Sequence, residues 1–287
     1  MRTTKHNYKD SLFRDIFNNA ERLPELCEAL LGLKTMSSSI ALATINETLF
    51  TGLKNDVSFI VENQHVLLVE HQSTVNANMP LRFFMYLAEI YRRYVEEEAM
   101  YKKRLIPLPT PKFYVFYNGI EEMPDTWTLR LSDAFGGKKD AMELVVEVLN
   151  INDKPNRRIL EKCHALKGYS VFIAQVREHI KNGGSLETAV GDAVRYCIAN
   201  DYLKEYFRQK HKEEVFDMLN FAWNQELALK VRADEAREEG LSQGLENGLV
   251  LSIRSMMEKL NLSMEKAMDV LQIPAAERAK YAALIKG

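Results

Sequence analysis

Two carboxylates and one amide carry the chemistry that the chain suggests: Asp56, Glu70 and Gln72, all within Leu53 to Thr74, LKNDVSFIVENQHVLLVEHQST. Both acids stand in apolar, β-branched surroundings, where an unpaired charge is costly to bury. The stretch reads as a β-hairpin: Leu53 to Val61, a polar break at Glu62-Asn63-Gln64-His65, then Val66 to Val69 running into Glu70-His71-Gln72. Alternation along the second strand puts Glu70 and Gln72 on one face and His71 on the other. Asp56 and Glu70 lie about equally far from the turn, so antiparallel pairing brings them close. Two adjacent carboxylates repel unless a cation intervenes. Hard oxygen ligands suit Mg2+ or Mn2+, with substrate phosphate and water completing an octahedron. The same residues admit a plainer arrangement, in which one carboxylate pairs with Arg82 and the other is solvated.

The elements that must position these groups follow from periodicity. Asp10 to Gly32 predicts one or two helices, with Asp10 as cap, Gly32 as stop, and Asp10 and Arg14 on one face. Ile40 to Phe50 predicts a first strand carrying Glu47. After the hairpin, a helix is predicted from Asn78, the cap, through Pro80 to Glu98. Its apolar stripe is Leu81, Phe84, Leu87, Ala88, Tyr91 and Val95. Arg82, Tyr86, Glu89 and Arg93 share another face, which by itself reads as an ion-paired solvent face. Lys112 to Tyr117 predicts a buried strand ended by Asn118-Gly119. Asp125 to Leu131 and Met142 to Leu149 are further strand candidates, the second with a helix-like alternative.

From Asn156 the pattern turns helical: Arg158 to Asn182, Ser185 to Asn200 and Tyr202 to Lys230. Within Glu226 to Leu260, Gly240, Gly244 and Gly248 recur every four residues, each followed by Leu. That stripe suits close approach of another helix, so self-association through Gly240 to Leu251 is expected. The tail, Asn261 to Gly287, predicts a small helical hairpin capped by Ser263, with a DNA-reading helix-turn-helix as the alternative.

Taken together, several blocks look familiar. Asp56 with Glu70-His71-Gln72 resembles the D…(D/E)-x-K signature of the PD-(D/E)XK nuclease superfamily. More closely it resembles the branch with Gln in the Lys position, the Rpn-type recombination-promoting nucleases and putative transposases. Other matching stretches are Tyr8 to Arg14, Asn55 to Phe59, Glu70 to Thr74, Met79 to Phe83, and Phe113 to Gly119. The resemblance covers roughly the first half of the chain. It implies an α/β fold: a restriction-endonuclease-like αβββαβ core with a mixed central sheet, followed by an all-helical C-terminal half. The expected divisions are a nuclease core over 1–152, a helical domain over 153–232, and the glycine-leucine helix with its tail over 233–287. The resemblance also implies that Asp56 and Glu70 bind Mg2+ or Mn2+, that Gln72 joins them in catalysis, and that DNA is the substrate. The helix after the hairpin would then flank the site, with Arg82 and Tyr86 contacting phosphate. The Asp10 and Arg14 face would border the cleft, and cutting both strands of a duplex favours a homodimer.

Composition bounds these readings. The chain has 287 residues, 46% hydrophobic, with net charge −2, so no global basic field draws it to nucleic acid. DNA contact must rest on local groups, and Lys102-Lys103-Arg104 is the nearest basic run. Cys27, Cys163 and Cys197 show no metal-finger spacing and read as buried thiols of a cytoplasmic protein. No apolar run is long enough to cross a membrane. The glycine stripe is no phosphate loop, since it lacks GK[ST] and follows no strand. Besides a DNA endonuclease, the sequence admits a nuclease-fold DNA-binding module without turnover, and a helical self-association scaffold.

Overall fold

The computed structural model describes residues 12–45, 55–138, 142–152, 158–210 and 212–286. Asp10 and Glu47 lie outside them. Two compact units divide the chain, Met1–Trp223 and Asn224–Gly287.

The first unit is built on a six-stranded mixed sheet of order β1-β2-β3-β4-β6-β5. The strands are β1 (Ile40–Leu42), β2 (Val57–Val61), β3 (His65–Gln72), β4 (Thr110–Tyr117), β5 (Thr126–Arg130) and β6 (Val145–Asn150). β1, β2 and β3 pair antiparallel, β3 to β4 and β4 to β6 are parallel, and β5 returns antiparallel along β6. With α1 (Leu12–Phe17), α2 (Leu23–Leu31) and α3 (Met79–Tyr94), the order through β4 is the expected αβββαβ core. No strand follows Asn150 among the described residues. The α/β class with a mostly helical C-terminal half holds.

Strand alternation gives each face of the sheet its own core. Val57, Phe59, Val61, Leu67, Val69, Tyr114 and Phe116 pack with α1, α2 and the later helices α5 (His164–Lys181), α6 (Leu186–Ala199) and α7 (Lys204–Gln209). Val66, Leu68, Phe113, Val115, Tyr117, Val146 and Val148 pack under α3. Both faces of β3 are therefore covered, which explains its unbroken apolar run. The hairpin turn is tighter than expected. Glu62 and Asn63 take positive φ of 53° and 56°, and the Gln64 N–H donates to Val61 O at 2.9 Å, so His65 already belongs to β3.

Several expectations need correction. The first strand is short, because side chains replace its ladder: Ser58 N–H donates to Thr44 Oγ1 at 3.0 Å, and Ile45 N–H to Asn55 Oδ1 at 2.7 Å. α3 stops at Tyr94, with Val95 extended at φ −101°, ψ 131°. Three successive glutamates at a helix C-terminus oppose its dipole. α3 also buries Met79, Phe83, Tyr86 and Ile90, while Leu81, Phe84 and Met85 are exposed. Pro80 occupies the first turn, but the Asn78 side chain makes no cap bond. Finally, the helix read from Arg158 to Asn182 breaks at Cys163 into α4 (Arg158–Lys162) and α5. There the Glu25 carboxylate of α2 accepts from the His164 N–H at 2.8 Å, capping α5 with a charge its dipole favours.

α8 (Lys212–Lys259) is one helix of 48 residues, where the sequence suggested several. In the second unit Ile253 packs with α9 (Met264–Val270) and α10 (Ala275–Lys286) through Ala267, Met268, Ile273 and Tyr281. Ser263 caps α9, as expected. A Cβ at Gly240, Gly244 or Gly248 would meet nothing within 4 Å, and Leu241, Leu245 and Leu251 are exposed. No helix among the described residues is long and apolar enough to cross a membrane. All three cysteines are free and buried, and burial pushes each thiol up to about 12.

Candidate active site

β3 delivers Glu70 to the face beneath α3. Its even-numbered residues Val66 and Leu68 fill that core, so Glu70 follows them inward and is 2% exposed. The last main-chain pair of the hairpin is Val57↔Val69. Extending that register by one residue sets Asp56 opposite Glu70. Side chains take over the ladder there. The Asp56 N–H donates to Glu70 Oε1 at 3.2 Å, and the His71 N–H donates to Asp56 Oδ2 at 2.7 Å. Asn55 is buried and tied to Ile45 and Ser58, which fixes the backbone entering Asp56.

α3 supplies the counter-charge. Arg82 donates to Glu70 Oε2 at 2.9 Å through Nη2, and to the Tyr86 hydroxyl at 2.8 Å through Nη2 and 3.1 Å through Nε. Tyr86, one turn on, is buried, and its phenol is pushed up by burial first and then by the Glu70 charge. Glu89 and Arg93 lie further along and pair with each other at 2.8 Å in partly exposed positions. The face read as one stripe thus divides, with its first two members turned to Glu70.

Burial and the neighbouring Asp56 raise the Glu70 carboxyl to about 8, against the opposing pull of Arg82, the Asp56 N–H and Arg14. Arg14, on α1, is itself buried. A buried carboxyl held this high among charged groups is the kind of group that binds a cation or moves a proton. Among the described residues no three His, Cys, Asp or Glu side chains come together. Two carboxylates alone suit Mg2+, which keeps water and substrate oxygens as its other ligands, rather than an all-protein cage.

Gln72 ends β3, half-buried, and by alternation shares the face of Glu70. Its main-chain oxygen accepts from Asn118 N–H at 2.9 Å. Among the described residues its side-chain amide makes no hydrogen bond, which leaves it available to a ligand. His71 faces the opposite way, as expected. It stacks on Phe13 with ring centroids 5.3 Å apart, and its Nε2 lies 3.0 Å from the Tyr169 hydroxyl. Burial, aided by Arg177, lowers it to about 3, so the imidazole is neutral.

Sequence reasoning passed over several of these residues. Asn118-Gly119 end β4 as expected, but the close contact they allow between the ends of β3 and β4 did not show in the sequence. A Cβ at Gly119 would sit 2.2 Å from Ser73 O, so β3 and β4 can end this close together only with glycine there. Arg177 reaches across from α5 to Asn118 O at 2.5 Å and Asn152 Oδ1 at 3.3 Å. Tyr169 and Arg177 carried no signal, since each is an ordinary member of an amphipathic helix far from the hairpin in sequence.

A family model described as "Putative transposase, YhgA-like" matches residues 7–187. The match takes in the whole sheet and α5. No curated protein and no solved structure matches the chain.

Proposed function

The chain belongs to the YhgA-like putative transposase family, part of the PD-(D/E)XK, Rpn-like group, and from that premise we propose that it is a metal-dependent DNA endonuclease. The observation that carries the reading is the cross-strand pair Asp56 and Glu70, set face to face at the end of a buried hairpin with Arg82 beside it. Asp56 and Glu70 would hold Mg2+ or Mn2+, and exchange of Glu70's proton for the ion would relieve the mutual repulsion of the acids. The bound ion supplies a Lewis acid for the phosphoryl oxygen and lowers the pKa of water.

The chain's own residues do the rest. Arg82 presents a guanidinium at the mouth of the site, able to take a phosphate oxygen while Tyr86 holds its plane. Gln72 can donate to or accept from a water or phosphate oxygen, but an amide does not titrate usefully and is no general base. His71 is on the far face of the strand. The proton of the attacking water therefore passes to solvent or to a substrate phosphate oxygen.

The test is cleavage of plasmid DNA by the purified chain across Mg2+, Mn2+ and Ca2+. Nicked or linear product with Mg2+ or Mn2+, lost in Asp56→Ala, supports the reading. Gln72 in the Lys position favours a second reading, a nuclease fold that binds DNA without turnover. DNA binding that is retained in Asp56→Ala, with no cleavage by either protein in any metal, would select it.

A further inference from the structure

Beyond Val57 the hairpin is joined through side chains, so the direction of the Asp56 carboxylate depends on where the His71 N–H points. The bond between them is short, 2.7 Å. His71 is fixed from the other face of the sheet. Its ring stacks on Phe13 of α1, meets the Tyr169 ring edge-on at 5.3 Å, and is bonded through Nε2 to the Tyr169 hydroxyl at 3.0 Å. Stacking alone leaves a ring free to slide in its plane. The hydroxyl bond removes that freedom, and a side chain fixed in its plane adds to the hold that pairing with Phe116 of β4 already gives the His71 backbone. The imidazole stays neutral at ordinary pH, so the bond does not come and go by protonation of the ring. The region matched by the family model includes α5, beyond the last strand of the sheet.

We propose that Tyr169 is a positioning residue for Asp56: acting through His71, it aims the carboxylate that would hold the divalent ion. The inference rests on the proposed metal site, but its geometry stands without metal. A chain of ligand, supporting group and anchor of this kind tunes metal affinity even where the outer members touch neither ion nor substrate.

Tyr169→Phe removes the hydroxyl and keeps the ring against Phe13 and His71. Tyr206→Phe is the matched control, since Tyr206 is similarly buried in the same core and its hydroxyl donates to Asp15 Oδ2 at 2.6 Å rather than bonding His71. Two readouts are needed: calorimetric titration of Mn2+, and hydrogen exchange at the His71 amide by NMR in the metal-free protein. The expected result is a Mn2+ dissociation constant raised about threefold to tenfold, the scale of one lost buried hydrogen bond, together with faster His71 exchange, in Tyr169→Phe alone. Wild-type affinity and exchange in Tyr169→Phe would overturn the proposal, as would equal losses in both variants. A wild-type chain that binds no Mn2+ would sink the proposed function instead. The His71 amide would then decide this inference by itself, with unchanged exchange overturning it.

Discussion

Glu70 and His71 are neighbours in one strand, yet they face different environments. Burial pushes both toward their neutral forms, Glu70 up to about 8 and His71 down to about 3. On the α3 side the uncharged form is contested: Asp56 favours it, while Arg82 and Arg14 oppose it. On the α5 side nothing restores the charge, since Arg177 reinforces the effect of burial. The same desolvation thus makes one residue switchable and the other inert. A cation arriving on the first face, as proposed, would reverse the shift of Glu70, whereas Arg177 on the second face only deepens that of His71.

The largest effect expected of a break in this contrast is at the acids. Glu70→Ala should lower cleavage about 100- to 1,000-fold, the scale of removing a group that stabilises transition-state charge, and abolish Mn2+ heat in calorimetry. Unimpaired cleavage would place the chemistry elsewhere. Next comes pH. The folded chain keeps the Glu70 proton up to about 8, whereas a free carboxyl loses it near 4.5. Its contribution to stability is therefore fully present below the lower value and lost as pH rises through the upper one. Ion binding must expel that proton, so Mn2+ affinity should rise about tenfold per unit between pH 6 and 8, with about one proton released. Calorimetry in two buffers of different ionisation enthalpy reads that proton directly.

A smaller effect is expected for Arg82→Met. Glu70 would lose its guanidinium but can remain protonated, so about 1–2 kcal/mol of stability should go, measured by urea unfolding. DNA affinity should fall with a salt slope shallower by about one ion. The smallest effect is at His71. Its ring resonances should stay flat from pH 5 to 8, and the pH–rate profile should carry no step that Phe substitution at Tyr169 moves. A ring titration near 6 would show that the two faces are not as different as their burial indicates.

The α3 side of this contrast was legible in the sequence and the α5 side was not. Parity along β3 is local: once Val66 to Val69 was read as a strand, Glu70 and Gln72 had to share a face, and hairpin pairing carried Asp56 to them. The αβββαβ order followed from run lengths and turn residues in the same local way. The buried face of α3 was misread because its apolar residues nearly encircle it. Leu81, Phe84 and Met85 are as hydrophobic as Phe83 and Ile90, and only packing on the sheet decides between them. Tyr169 and Arg177 were illegible for a different reason. Their partners are set by how α5 crosses the sheet, and no spacing within a helix encodes a contact with a strand 98 residues earlier. The break at Cys163 was hidden likewise, since the capping carboxylate, Glu25, lies 139 residues away.

That last contact bears on the order in which the protein can be made. α5 cannot take its capped start until α2 is in place, and His71, though stacked on Phe13, lacks its hydroxyl partner until residue 169 has been synthesised. At about 5–20 residues per second, a growing chain carries β3 for roughly 5–20 s before Tyr169 is added. During that interval both acidic side chains already exist, but the back of their strand is covered by α1 and α2 without α5. The nascent protein is thus expected to hold its acids loosely until the helical half follows. Proteolysis of ribosome-arrested chains ending before and after α5 should find the end of β3 protected only in the longer ones.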